Sequence, residues 1–87
     1  MTHPELVARL AKLAEEIIEE MTPEKAHLWH MGTGICTEAG ELLDAVKKNV
    51  CYNKPIDREN VIEELGDLEF YLEGLRARLA ITREEVL

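Results

Sequence analysis

The stretch from Val61 to Leu79 constrains the fold most, because its apolar residues recur at alternating steps of four and three. These residues are Val61, Leu65, Leu68, Leu72, Leu75 and Leu79. Such spacing places them on one face of an α-helix, as in a helix packed along the seam of a bundle. Asp57 precedes the stretch as a candidate N-cap. The pattern predicts a helix that begins after Asp57 and packs its stripe against other helices.

Two further helices are predicted in the first half of the chain. From Leu6 to Met21, apolar residues recur at steps of three and four within a charged segment, which predicts one amphipathic first helix. Thr22 followed by proline is typical of an N-cap and a first helical residue, so a second helix is expected over Pro23–Lys48. Gly32 and Gly34 are the positions where this helix is expected to bend or break.

The remaining segments predict a loop and a short last helix. Residues 49–56 contain Pro55, which disfavours helix at the residue before it, so this segment is expected to be a loop. Thr82 followed three residues later by Glu85 is a capping box, which predicts that a fourth helix begins there.

The size and composition predict a single all-α domain over residues 1–87. The chain is 46% hydrophobic but only 5% aromatic, so its core must consist mainly of aliphatic side chains, which suits helix-on-helix packing. A chain of 87 residues buries a small core. We therefore expect a helical subunit that forms a four-helix-bundle-like homo-oligomer, either a dimer or a tetramer.

The charge and hydropathy of the chain argue against two kinds of binding partner, nucleic-acid polymers and membranes. The net charge of -8 repels a phosphate backbone and argues against binding to a nucleic-acid polymer. No apolar run is long enough to span a membrane, and the first ten residues lack the pattern of a signal peptide. The expectation from the sequence is a cytoplasmic protein without a membrane partner.

Two short segments repeat one acidic pattern. Glu38–Leu42 reads EAGEL and Glu64–Leu68 reads ELGDL. Each segment has two acids three residues apart, about one helical turn, so each pair shares a helix face. The candidate metal ligands are Glu38, Glu41, Glu64 and Asp67.

The helical geometry predicts that the two pairs meet. Measured from the apolar stripe of its own helix, the first acid of each pair lies about 60° and the second about 120° to the same side. In an antiparallel hairpin, Glu41 then lies level with Glu64, and Glu38 with Asp67. Four carboxylates in one groove favour a cation, and oxygen ligands select Mg²⁺, Mn²⁺ or Ca²⁺ over zinc. The glycines of the two repeats, at positions 40 and 66, are expected to let the backbones approach closely.

With these residues the chain resembles the MazG-like nucleotide pyrophosphohydrolases of the all-α NTP pyrophosphatase superfamily, whose signature is EExxE, a spacer and ExxD. The resemblance covers roughly residues 27–87. Thr37 stands where the family has its first glutamate. Family members usually continue beyond the fourth helix with a stretch that contributes to substrate binding, whereas this sequence ends at Leu87; we therefore expect normal magnesium binding with weak turnover.

The resemblance implies Mg²⁺-dependent hydrolysis of nucleoside or deoxynucleoside triphosphates to monophosphate and pyrophosphate, with Mn²⁺ as a substitute. The first candidate for the general base is Glu41, and Glu38 is the alternative. Lys54 and Arg58 are candidates for gripping phosphate, and Trp29 for stacking on a base. Lys47 and Lys48 flank the same loop and could contribute, with an ordinary solvated surface position as the alternative.

Two other functions fit the same pattern. A phosphoribosyl-ATP pyrophosphohydrolase shares the superfamily signature, and a helical oligomerisation module could bind metal on its acidic face without turnover.

Overall fold

The computed structural model describes all 87 residues and confirms the all-α class. Its five helices are α1 (His3–Leu10), α2 (Ala14–Glu20), α3 (Pro23–Tyr52), α4 (Arg58–Arg78) and α5 (Arg83–Val86). No helix is both long enough and apolar enough to cross a membrane.

The predicted single first helix is wrong, because the structure divides it into α1 and α2. Ala11 and Leu13 both have extended backbone, with ψ angles of 135° and 139°. A continuous amphipathic helix is stabilised mainly by packing its apolar face on a partner. Neither α1 nor α2 packs along another helix of this chain, so nothing holds residues 11–13 in helical conformation.

Helix α3 begins where the sequence predicted and ends later. The Thr22 side chain accepts a hydrogen bond from the Lys25 backbone N–H at 3.1 Å. The helix passes the two glycines without a break and continues beyond the predicted end at Lys48 to Tyr52. It stops at Asn53, whose φ of 51° is left-handed, a conformation that asparagine tolerates at helix ends. The predicted loop over residues 49–56 is therefore shorter than expected.

Both remaining predicted caps are confirmed. The Asp57 carboxylate accepts a hydrogen bond from the Asn60 N–H at 3.1 Å and caps α4. The Thr82 hydroxyl accepts one from the Glu85 N–H at 3.1 Å, and the Glu85 carboxylate accepts one from the Thr82 N–H at 2.9 Å, which completes the capping box of α5.

An ion-pair network ties α5 to α4. The Arg76 guanidinium donates to the Glu69 carboxylate at 2.6 Å and to the Glu73 carboxylate at 2.7 Å. Glu69 also accepts a hydrogen bond from Arg83 of α5 at 3.1 Å. The hydrogen bond from Arg76 lowers the pKa of Glu69 from its ordinary value. The Glu69 carboxylate therefore links α5 to α4 through Arg83.

The hairpin of α3 and α4 is the only extensive helix packing in the molecule. A Cβ at Gly34 would lie well inside 3.0 Å of the Tyr71 ring, and a Cβ at Gly74 would overlap Met31. As residue numbers rise along α3, those of the α4 neighbours fall, so the helices are antiparallel. Helices α3 and α4 thus approach each other most closely at Gly34 and Gly74.

The two glycines of the acidic repeats do not have the role that the sequence suggested. A Cβ added at Gly40 or Gly66 would meet no atom within 4 Å. The expectation that they permit close approach of the backbones is wrong, because the crossing point of the helices lies further from the loop, at the level of Gly34.

Little of the chain is buried. Met31, Gly34 and Ala45 are the only buried residues. The stripe of α4 faces α3 only in part, since Leu65 is 49% exposed. One hairpin cannot cover both apolar faces of its own helices.

Candidate metal centre

The hairpin brings three of the four predicted ligands together. Glu38 of α3 and Glu64 and Asp67 of α4 each offer one carboxylate oxygen, and these oxygens all lie within 4.8 Å of one another. Glu38 and Glu64 are half-buried, and Asp67 is exposed. We call these three residues the acidic triad.

The helical repeat of α4 and the packing of α4 against α3 together bring the three residues of the triad close to one another. Glu64 and Asp67 share a face of α4 because three residues make nearly one helical turn, about 4.5 Å of rise. The antiparallel register that places Tyr71 beside Gly34 also places Asp67 level with Glu38. This is the relative height that the sequence predicted for those two acids.

Glu41 lies outside the triad but affects it. It is exposed, and its carboxylate is not within the 4.8 Å group. The pKa of Glu64 is raised from its ordinary value, first by partial burial and then by the negative charges of Asp67, Glu38, Glu41 and Glu63. Glu41 is thus near enough to repel the Glu64 carboxylate without joining the cluster of oxygens.

The triad has the donor chemistry of a site for a hard cation. No lysine or arginine forms an ion pair with Glu38, Glu64 or Asp67. Carboxylate oxygens are ligands for Mg²⁺, Mn²⁺ and Ca²⁺, and Mg²⁺ commonly keeps several water ligands beside one or two carboxylates. A cation would relieve the repulsion that raises the pKa of Glu64.

Thr37 does not point its hydroxyl into this cluster. The hydroxyl donates to the backbone oxygens of Thr33 and Gly34, at 3.0 and 3.1 Å. Serine and threonine commonly make this bond to the preceding turn of their own helix. Thr37 therefore supplies no replacement for the carboxylate that the family signature has at this position.

A polar pocket continues the groove toward the α3–α4 loop. Its volume is about 310 Å³, and Ala45, Lys48, Lys54, Pro55, Asp57 and Asn60 line it. Asn60 precedes Glu64 by one helical turn, about 6 Å along α4. Lys54 is therefore placed near the acids, as the sequence suggested. Lys48, which the sequence also suggested, lines the pocket as well. Asn60 was missed, although it lies on the acidic side of its helix.

The structure does not bring the other two predicted substrate residues to the triad. Arg58 lines a separate groove of about 390 Å³ with Val46, Ile56, Val61, Ile62 and Leu65. Trp29 is 74% exposed and lines a further groove with Ile17, Met21 and Lys25. Since Trp29 precedes Glu38 by nine residues, it faces about 180° away from it. Within one chain, neither side chain meets the carboxylates.

Comparisons with known proteins find no match for this chain among family models, curated proteins or solved structures.

Proposed function

We propose that this chain is a MazG-like, magnesium-dependent pyrophosphohydrolase that cleaves nucleoside or deoxynucleoside triphosphates between the first and second phosphates. The observation that carries the proposal is the acidic triad, in which two antiparallel helices contribute carboxylate oxygens within 4.8 Å of one another. The two repeats of E-x-G-acid-L that supply these carboxylates are the same residues that resemble the family signature.

The carboxylates divide into ligands and a base. Glu38, Glu64 and Asp67 would hold Mg²⁺, with Mn²⁺ as a substitute. When bound, the ion would neutralise phosphate charge and lower the pKa of a coordinated water. Glu41 is free to accept a proton from the attacking water, because it lies beside the triad rather than within it. Glu38 remains the alternative base.

The polar pocket suits the phosphate end of the substrate. Lys48, Lys54 and Asn60 line it together with the acidic residue Asp57, and Asn60 is about one helical turn from Glu64. The two ammonium groups can offset part of the charge of outgoing pyrophosphate. Lys48 and Lys54 keep their proposed role, and Asn60 joins them. Arg58 and Trp29 would reach a substrate only from a second copy of the chain, because their own grooves lie elsewhere.

We also propose that the protein is a homo-oligomer, with two hairpins forming a four-helix bundle. Apolar residues of both helices lie exposed on the side away from the carboxylates: Leu43, Val46, Val50, Ile62 and Leu65. A second hairpin placed on this side would bury them and would leave the acidic groove open to substrate.

Release of pyrophosphate tests the function. The purified 87-residue chain is incubated with each canonical triphosphate and with phosphoribosyl-ATP, in the presence of Mg²⁺. We expect release from at least one nucleoside triphosphate and a background rate for Glu38→Gln. Glu63→Gln is the matched control, because it removes the same charge next to Glu64 without removing an oxygen of the triad.

Other outcomes would revise the proposal. Turnover of phosphoribosyl-ATP alone would change the substrate class. Tight Mg²⁺ binding without pyrophosphate release from any substrate would indicate a metal-binding oligomerisation module instead of an enzyme.

A further inference from the structure

The N-terminal arm, residues 1–21, has helices that cannot persist without a partner. Helix α1 has 8 residues and α2 has 7. Isolated helices shorter than about 12 residues are marginal in water and depend on tertiary packing. The arm packs along no other helix, and its apolar side chains face solvent, with Leu10 72% and Ile18 74% exposed. The apolar surface of the arm is therefore unpartnered within this chain.

The surface that this chain exposes beyond that of a compact monomer has the size of an interface with a second copy. The chain exposes 7222 Å², whereas a compact monomer of 9.9 kDa exposes about 5,200 Å². The Cα radius of gyration is 18.4 Å, against about 12 Å for a compact domain of this length. The excess of about 2,000 Å² per chain, doubled for a pair, falls within the range of about 2,000 to 5,000 Å² for obligate homodimers.

The surface suited to receive the arm lies at the loop end of the hairpin. Val46, Ile56, Val61, Ile62 and Leu65 form an apolar groove there, with Arg58 in its wall. Val46 is about 35 Å along α3 from Pro23, where the arm joins, and α2 is only about 10 Å long. Helix α2 therefore cannot fill the groove of its own chain. In two hairpins packed antiparallel, the arm end of one lies beside the loop end of the other.

Charge favours the same arrangement. Helix α2 contains four glutamates and no basic residue. Only one of these glutamates, Glu20, forms an ion pair, with Lys12. Residues 46–58 at the loop end carry four basic residues and one acidic residue, Asp57. Of the four, Lys47 and Arg58 lie outside the polar pocket that Lys48 and Lys54 line. Packing α2 on this end places opposite charges around an apolar contact.

We propose that each copy exchanges its N-terminal arm with a second copy, so that α2 docks at the loop end of the other hairpin, against Ile56, Val61 and Arg58. The remaining groove residues, Val46, Ile62 and Leu65, would contact both α2 and the second hairpin. This inference rests on the self-association proposed above. It also assigns a position to Trp29, which shares a groove with Ile17 and Met21 of α2. Because Trp29 lies at the arm end of α3, antiparallel packing of the two hairpins would place it beside the end of the other copy that contains the lysine pocket.

Cross-linking between isotopically distinct copies tests the exchange. A photo-reactive amino acid is placed at position 17 or 18 of the full chain, and ¹⁴N and ¹⁵N protein are mixed, dissociated and reassociated. We expect cross-links that join peptides of different isotope and that end within residues 46–65. Cross-links confined to one isotope, or ending only on the arm, would show that the arm folds back or pairs with another arm, and would overturn the exchange.

Sedimentation equilibrium separates this inference from oligomerisation itself. The variant Leu10→Ser/Ile17→Ser should raise the Kd for self-association at least tenfold, while Glu15→Gln, which changes only an exposed glutamate, should raise it by much less. A native Kd in the double variant would overturn the arm exchange and leave the hairpin interface standing. A wild-type monomer at all concentrations would overturn both. Neither result depends on turnover, so the enzymatic proposal is judged separately.

Discussion

Replacing Gly34 by alanine tests the packing on which the metal centre depends. In a helix interior, glycine to alanine alone stabilises by about 1 kcal/mol. At position 34, however, the new Cβ would lie well inside 3.0 Å of the Tyr71 ring, including Cγ at the root of that ring. The whole ring must therefore swing away, and its edge-to-face contact with Phe70, at a centroid distance of 5.2 Å, would be lost.

The expected loss of stability in Gly34→Ala follows from overpacking at position 34 and from loss of the Tyr71–Phe70 contact. Overpacking costs about 1 to 3 kcal/mol, and loss of the aromatic pair about 0.5 to 1.5 kcal/mol. Together these are about 3 kcal/mol, which exceeds the gain from helix propensity. Gly34→Ala should therefore be destabilised by about 2 kcal/mol. Gly40→Ala, whose Cβ meets nothing within 4 Å, should instead be stabilised by about 1 kcal/mol.

Thermal unfolding followed by circular dichroism measures the difference at one fixed protein concentration, since association also affects the Tm. For a domain of this size 1 kcal/mol shifts the Tm by about 4 to 8 °C, so the two variants should melt more than about 10 °C apart. Gly74→Ala should fall between them, because the Met31 side chain that it meets is flexible. If Gly34→Ala and Gly40→Ala melt within about 4 °C of each other, the close approach of α3 to α4 at position 34 is wrong.

Three further predictions concern the metal, the last helix and the phosphate pocket. Mg²⁺ or Mn²⁺ at a hundredfold excess over its Kd should stabilise the protein by about 2.7 kcal/mol. Glu38→Gln should melt at the same temperature with and without metal. Equal metal responses of the variant and the wild type would show that the acidic triad does not bind the metal. Arg83→Ala should speed hydrogen exchange of the α5 amides yet leave the Tm nearly unchanged, because the Arg83–Glu69 ion pair is exposed. The pKa of Glu69 is lowered from its ordinary 4.5, mainly by the hydrogen bond from Arg76 and in smaller part by the charge of Arg83. The contribution of Arg83 is therefore present above that pH and is lost as the pH falls through the lowered pKa; an Arg83→Ala effect that persisted in strong acid would contradict it. Lys54→Ala should raise KM for the triphosphate more than it lowers kcat. Lys47→Ala is the control, because Lys47 lies outside the pocket. Equal kinetics of the two variants would show that the phosphate binds elsewhere.

Features that depend on a few neighbouring residues could be predicted from the sequence. The side chains of Thr22, Asp57 and Thr82 cap their helices as expected, because each needs only a backbone N–H three residues away. The spacing within each acidic pair follows from the helical repeat alone. The metal ion and the reaction remain predictions.

Features that depend on helix packing could not be predicted in this way. The apolar stripes suggested the side on which α3 and α4 meet, but which glycine lies at the crossing depends on the fit of Tyr71 against Gly34 and of Met31 against Gly74. The same fit determines that Glu41 lies outside the oxygen cluster and that Lys48 and Asn60 share a pocket.

The N-terminal arm shows the same division. Its apolar spacing correctly indicated amphipathic helical structure, since that spacing is a property of the residues themselves. Whether such a segment forms one helix or two depends on the surface that it packs against, and within this chain it has none. Sequence thus determined the helices, their caps and the paired acids, which are local properties. Only the tertiary structure decided the register, the composition of the site and the surfaces left uncovered, because these depend on contacts between residues far apart in the chain.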